Sequence, residues 1–355
     1  MNTAPTFISG IQQVGVGVPA LDDAWRLYRR AFGFDVPVLR DAGTAEVMTP
    51  YTGGRVESRD AVIALNDRGG GGLEVWQYTS RPCVAPATRP MVGDLGVMAI
   101  RLNSPDPAVS LDHCRALGLT TFGPYEAPDG ATQGWAVDPM DNLFQFVRSD
   151  DCFRPRKFHC GGIAGVMIGV SDIDAARRFY GGILGYDQTV YDREGHFTDL
   201  TDLPGGSGAF RRVLLSRDEA PKGPFARLLG RSRIELIQCL DRSPTPIFAG
   251  RQWGDRGFIH LCFDVVGMNA LLDRFAGAGH PVRVRSDDNF EMGEAAGAFA
   301  YVEDPDGTLI ELVETRRLPI LKAVGWSLDL TRRDRAKPIA DWMLKAMALG
   351  RVRDR

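Results

Sequence analysis

The chain has no Cys-X-X-Cys pair, no long apolar run and no excess of basic charge. Six cysteines (Cys83, Cys114, Cys152, Cys160, Cys239 and Cys262) are scattered through 355 residues, so they read as reduced thiols rather than a disulfide framework. Cys152 and Cys160 flank His159, but no second ligand pair accompanies them, which argues against a metal knuckle. No segment reaches the roughly 20 apolar residues of a membrane span. The N-terminal stretch MNTAPTFISG lacks a positive region followed by an apolar run, so a cytoplasmic location is expected. A formal charge of −3 gives no steering toward nucleic acid or a membrane surface, leaving a small molecule as the expected partner. Histidine is scarce, with five in all, which restricts any site built on imidazoles.

What the chain does have is 44% hydrophobic residues, enough for a sizeable core in about two domains, and an internal repeat. Residues 13–34 (QVGVGVPALDDAWRLYRRAFGF) align without a gap on residues 165–186 (GVMIGVSDIDAARRFYGGILGY). Both read as a short strand and then a helix with Leu21/Ile173, Ala24/Ala176, Leu27/Phe179 and Tyr28/Tyr180 on one face. Asp22 and Asp174 suit a helix N-terminus, and Gly33 and Gly185 suit a left-handed cap. A second pair of segments repeats likewise. Strands opening at Met98 and at His260 lead into helices, and each series ends in an Asp-Pro turn, at Asp138-Pro-Met-Asp and Asp304-Pro-Asp-Gly, before a last strand. Four units of one strand, one helix and about three strands result, near 10–80, 95–150, 162–240 and 255–315. The boundary between residues 1–150 and 162–315 falls in the polar linker 151–161. The glycine runs 69–72 and 205–208 read as loops, since neither opens a helix after a strand. Residues 316–355 form an arginine-rich tail with a helical stretch, Ala340–Leu349, whose apolar side (Ala340, Met343, Leu344, Met347) is expected to pack on its own subunit or on the partner in a homodimer.

Two stretches carry the chemistry. Gly257-Phe-Ile-His-Leu-Cys-Phe-Asp-Val265 sets His260 among apolar neighbours on a first strand, and Tyr301-Val-Glu-Asp-Pro-Asp-Gly-Thr-Leu-Ile-Glu-Leu-Val313 sets Glu311 on a last strand. An imidazole and a carboxylate on neighbouring strands can share a metal ion. The four-fold unit with inward polar residues on first and last strands resembles the vicinal oxygen chelate superfamily, which includes glyoxalase I, extradiol dioxygenases and the bleomycin-resistance proteins. The resemblance covers residues 10–315. It implies an α+β fold of four βαβββ modules forming two cupped mixed β-sheets with helices outside, and one metal ligand from the first and last strand of each facing module. Carried over position by position, it gives Gln13 and Glu74 in the first module, Met98 and Gln145 in the second, Gly165 and Glu235 in the third, and His260 and Glu311 in the fourth.

Two pairings are open. If the outer modules face each other, Gln13, Glu74, His260 and Glu311 form one complete ligand set. If neighbours pair, the set is Glu235, His260 and Glu311. Oxygen donors with one imidazole suit a single divalent ion, Zn²⁺ first and Ni²⁺, Co²⁺, Mn²⁺ or Fe²⁺ as alternatives. The resemblance then implies a metal-dependent isomerase or lyase in which Glu311 and its counterpart Glu74 move a proton beside a carbonyl. Extradiol ring cleavage is the first rival. It calls for two histidines and a carboxylate, and His113, His159, His196 and His280 stand on a helix, in the linker, in a loop and after a helix. The second rival is a metal-free binding or resistance protein. Glyoxalase I of the related type carries an arginine four residues after the first-strand glutamine, where this chain has Gly17, so a glutathione adduct is disfavoured. Trp76, Phe144, Phe146 and Phe263 are expected to give the cup an apolar lining.

Overall fold

The computed structural model describes residues 5–287, 290–292, 295–321 and 325–354; residues 1–4, 288–289, 293–294, 322–324 and 355, which fall in the N-terminal stretch, the fourth unit and the tail, lie outside it. The first unit comprises β1 (Phe7–Gly17), α1 (Leu21–Phe32), β2 (Val36–Thr44), β3 (Ser58–Leu65) and β4 (Gly72–Tyr78). The second comprises β5 (Gly96–Ser104), α2 (Pro107–Ala116), β6 (Thr120–Glu126), β7 (Thr132–Val137) and β8 (Leu143–Arg148). The third is β9 (Ile163–Gly169), α3 (Ile173–Tyr180), β10 (Gln188–Gly195), β11 (Phe210–Ser216), an inserted short helix α4 (Ala226–Leu229) and β12 (Arg233–Cys239). The fourth is β13 (Gly257–Val266), α5 (Met268–Gly277), β14 (Val284–Arg285), β15 (Phe290–Met292), β16 (Ala295–Glu303) and β17 (Leu309–Leu321), followed by β18 (Trp326–Asp329) and α6 (Asp341–Ala346) in the tail.

The pairing question is answered by strand order. One sheet runs β14-β16-β17-β13-β1-β4-β3-β2, with β15 and β18 on its branches, and the other runs β10-β11-β12-β9-β5-β8-β7-β6. The outer units therefore share one curled mixed sheet and the inner units share the other, each joined across an antiparallel seam, β1 to β13 and β5 to β9. Helices pack outside, and one continuous core links them to both sheets.

Helices bind the units in the other combination. Tyr28 of α1 donates to Asp138 Oδ2 at 2.7 Å, and Tyr180 of α3 donates to Asp304 Oδ2 at 2.8 Å. In each Asp-Pro turn the other aspartate oxygen accepts two turn amides, from Met140 and Asn142 or from Asp306 and Thr308, so the carboxylate caps the turn while holding the tyrosine. The first unit is thus locked to the second and the third to the fourth. Acidic residues in the first turns of α1 and α3, and Gly33 at φ 72° after α1, follow the repeat. The tail packs on its own chain: Leu344 and Met347 join Phe225, Leu228 and Leu229 around α4 in a separate apolar cluster.

Candidate metal centre

Register across four central strands brings the predicted donors together. On β1, Gly15 lies opposite His260 of β13 and beside Glu74 of β4, while Gln13 lies opposite Cys262, itself beside Glu311 of β17. Because strand side chains alternate, Gln13, Glu74, His260 and Glu311 project to one face. His260 Nε2 is 3.2 Å from Glu74 Oε2 and 3.1 Å from Glu311 Oε2, and Gln13 Nε2 donates to Glu74 Oε2 at 3.3 Å. All four are buried. Glu74, His260 and Glu311 make the one such His/Cys/Asp/Glu group found among the described residues.

The directions of these atoms say more than the distances. His260 Nε2 and Glu311 Oε2 meet only within this cluster and without well-aligned hydrogen bonds, and Gln13 Oε1 has no hydrogen-bond partner. A buried cluster of donors satisfied only by imperfect contacts with one another, with Gln13 Oε1 left over, costs free energy in a protein interior. A divalent cation accepting from all of them removes that cost, so the residues fit the metal that the chemistry of the set suggests. Without one, burial works against the imidazolium, yet Glu311 and Glu74 overcome it and hold His260 up at about 10. Glu311 is correspondingly held below its ordinary value by His260, against the effect of burial. A cation arriving at Nε2 must displace that proton.

Tyr301 of β16 lies edge-on to the His260 ring at 5.5 Å between centroids, with its hydroxyl 3.4 Å from Nδ1. With Nε2 turned to a metal, Nδ1–H donates to that hydroxyl oxygen and fixes the ring. Tyr301 was not singled out in the sequence, since only the pairing of Tyr301 with Glu311 across β16 and β17 brings it into the site.

Gln13, Glu74 and Glu311 open onto a cleft of about 150 Å³ whose walls include Val38, Leu39, Ile63, Leu65 and Phe299, with Phe225 and Leu228 near α4 and Met347 of the tail over it. No lysine or arginine lines it among the described residues. The apolar walls are not the aromatics expected from the sequence. Phe144, Phe146 and Phe263 lie in the main core, and Trp76 packs edge-on against Trp253 at 4.6 Å in a separate apolar cluster with Tyr78, Ile259 and Tyr301.

Glu235 is not brought to His260 and Glu311; it lies in the other sheet, so the neighbour-pairing set does not assemble. There its carboxylate meets two buried arginines. Arg212 contacts Oε1 at 2.6 Å, Arg101 pairs with Oε2, and Tyr191 donates to Oε1 at 2.6 Å. Arg212 also binds Asp199 at 2.8 Å. Burial of Glu235 is outweighed by Arg212 and Arg101, and its carboxyl is held low. Guanidinium groups occupy the middle of this second cup, with Trp135, Leu200 and Phe210 packed beside them. The ladder also corrects one position. Met98 bulges between the paired residues Val97 and Ala99, and Ala99, opposite Met167 as His260 is opposite Gly15, is the true counterpart of His260.

The remaining histidines are engaged elsewhere. His113 Nε2 bonds the Arg30 carbonyl, His196 the Ser207 carbonyl and His280 the Glu303 carbonyl. His159 is stacked between His113 and Phe158, and burial pushes it down to about 3. Cys152 is exposed and Cys160 buried, with no metal group around them among the described residues.

Residues 162–312 match the family described as the Glyoxalase/Bleomycin resistance protein/Dioxygenase superfamily. The chain superposes on glyoxalase I from Zea mays with a TM-score of 0.53 at 13% identity, covering 87% of this chain and 92% of that one. The chain has the vicinal oxygen chelate fold, and its residues 162–312 are similar in sequence to that superfamily. A Bacillus subtilis protein provisionally named a dioxygenase superposes on the same fold with a TM-score of 0.56 at 14% identity, covering 87% of this chain and 86% of that one. No curated protein matches the sequence. The vicinal oxygen chelate fold thus extends over all four units, and no described helix is long and apolar enough to cross a membrane.

Proposed function

We propose that the chain is a divalent-metal-dependent isomerase or lyase that moves a proton beside a carbonyl of a small, partly hydrophobic, oxygenated substrate. The observation that carries this reading is the convergence of Gln13, Glu74 and Glu311 on an apolar cleft, with the buried His260 ring against both carboxylates behind them. Gln13, Glu74, His260 and Glu311 are the proposed ligands, and a divalent ion held by them supplies Lewis-acid polarisation of a substrate carbonyl.

The chain's own residues do the rest. Glu74 and Glu311 come from strands on either side of the β1–β13 seam and both line the cleft, so one can take a proton from a substrate in the cleft while the other returns it. His260 stays behind them as a fixed ligand, oriented by Tyr301. The apolar walls exclude water from the transferred proton. A charged glutathione arm finds no lysine or arginine in the cleft among the described residues. At Gly17 there is no room for one either, since a Cβ there would fall 2.1 Å from the Asp255 carbonyl oxygen. One histidine with two carboxylates also differs from the two-histidine set of iron oxygenases.

Metal analysis of protein purified without chelator tests the reading. About one equivalent is expected, lost in His260→Ala, Glu311→Ala and Glu74→Ala and retained in Glu235→Ala. Wild-type protein that takes up no divalent ion under any loading condition would overturn it.

A further inference from the structure

The second cup has lost the donor set but not its mouth. A cleft of about 200 Å³ opens beside it. Strand register identifies this cleft as the counterpart of the first. Glu235 pairs with Leu214 as Glu74 pairs with Ile63, which puts Ser216 where Leu65 lines the first cleft. Gln145 pairs with Trp135 as Glu311 pairs with Tyr301, which puts Val147 and Ser149 where Val313 and Thr315 stand. The lining has changed character, however. Five arginines (Arg101, Arg148, Arg217, Arg231 and Arg233) face two carboxylates, Asp151 and Glu219.

Charges already engaged must be set aside. Arg101 is held by Glu235, Arg148 by Asp150 and Arg233 by Asp129, while Glu219 pairs with Lys222. Arg217 and Arg231 remain without a carboxylate partner among the described residues. Arg217 spends one nitrogen on the Ile8 carbonyl at 2.7 Å, and its Nε is buried with no partner. At the inner wall Ser9 is 1% exposed, with its hydroxyl turned to the Asp264 carboxylate. Two guanidinium groups without a carboxylate partner, one of them with a buried unsatisfied Nε, beside a polar cavity are the recognition chemistry of a multivalent oxyanion.

We propose that this cleft binds a small molecule carrying phosphate or carboxylate groups, at a site separate from the metal centre. The proposal does not depend on the metal reading, because none of the proposed metal ligands lines the cleft.

Calorimetric titration of the full chain with pyrophosphate, and in a parallel arm with citrate, tests it. Saturable one-site binding is expected in at least one arm, weakened by about tenfold or more in Arg217→Gln/Arg231→Gln. Arg231 is exposed, so Arg231→Gln alone keeps the fold and should weaken binding in the same direction. Binding of pyrophosphate alone assigns phosphate, and binding of citrate alone assigns carboxylate. No saturable binding of either at millimolar concentration overturns the proposal, as does equal affinity in wild type and both variants.

Discussion

The room for the His260 ring is made by a hydrogen atom. Gly15 faces His260 across the seam, and a Cβ on Gly15 would fall 2.4 Å from Cε1 of the ring. Gly15→Ala must push the imidazole off its position or bend β1. The expected outcome is a folded protein, destabilised by about 1–3 kcal/mol, that no longer retains metal; circular dichroism and metal content measured together check it, and full metal occupancy would contradict it. His260 and Glu311 stood out in the sequence as polar residues among apolar neighbours on strands, whereas Gln13 and Glu74 came only with the position-by-position resemblance. Gly15 was not visible, since a glycine in a strand is silent about which ring it admits. Arg101 and Arg212 were missed for another reason: nothing in a linear pattern says that two distant arginines close on Glu235.

Among the elements, the repeat made the strand-helix-strand order readable, but not which edges meet. Alternation along β1 is the same whether its neighbour is β5 or β13, and register slips by one wherever a bulge intervenes, as at Met98. The inserted α4 and the tail strand β18 have no counterpart in the other units and so no repeat to announce them. The paired tyrosines Tyr28 and Tyr180 did stand out, as helix-face residues; their task is to hold the Asp-Pro turn of the following unit. Tyr180→Phe keeps the ring and removes the hydroxyl donor from the buried Asp304 carboxylate. It should lower stability by about 1–3 kcal/mol, with Tyr28→Phe doing the same at Asp138. Urea midpoints provide the check, and unchanged midpoints in both would refute the locking role.

At the level of the whole molecule, the division at the linker 151–161 is a division of sequence more than of structure. Each half contributes one unit to each sheet. A fragment ending in the linker, residues 1–157, would leave the seam edges of β1 and β5 bare and is expected to aggregate alone. Co-expressed with residues 158–355 it should form a stable one-to-one complex with the metal content of the intact chain. Size-exclusion chromatography with metal analysis distinguishes this from two independently folding domains.

The seams and the tyrosine locks alternate around the molecule: sheet from first unit to fourth, tyrosine from fourth to third, sheet from third to second, tyrosine from second to first. The four units therefore close a ring, and a ring cannot hinge at one joint while the other three hold. In many two-domain enzymes the halves part to admit the substrate. Here that route is shut, and the wall of the cleft that α4 and Met347 of the tail build on one another is the part of its lining that lies outside the ring.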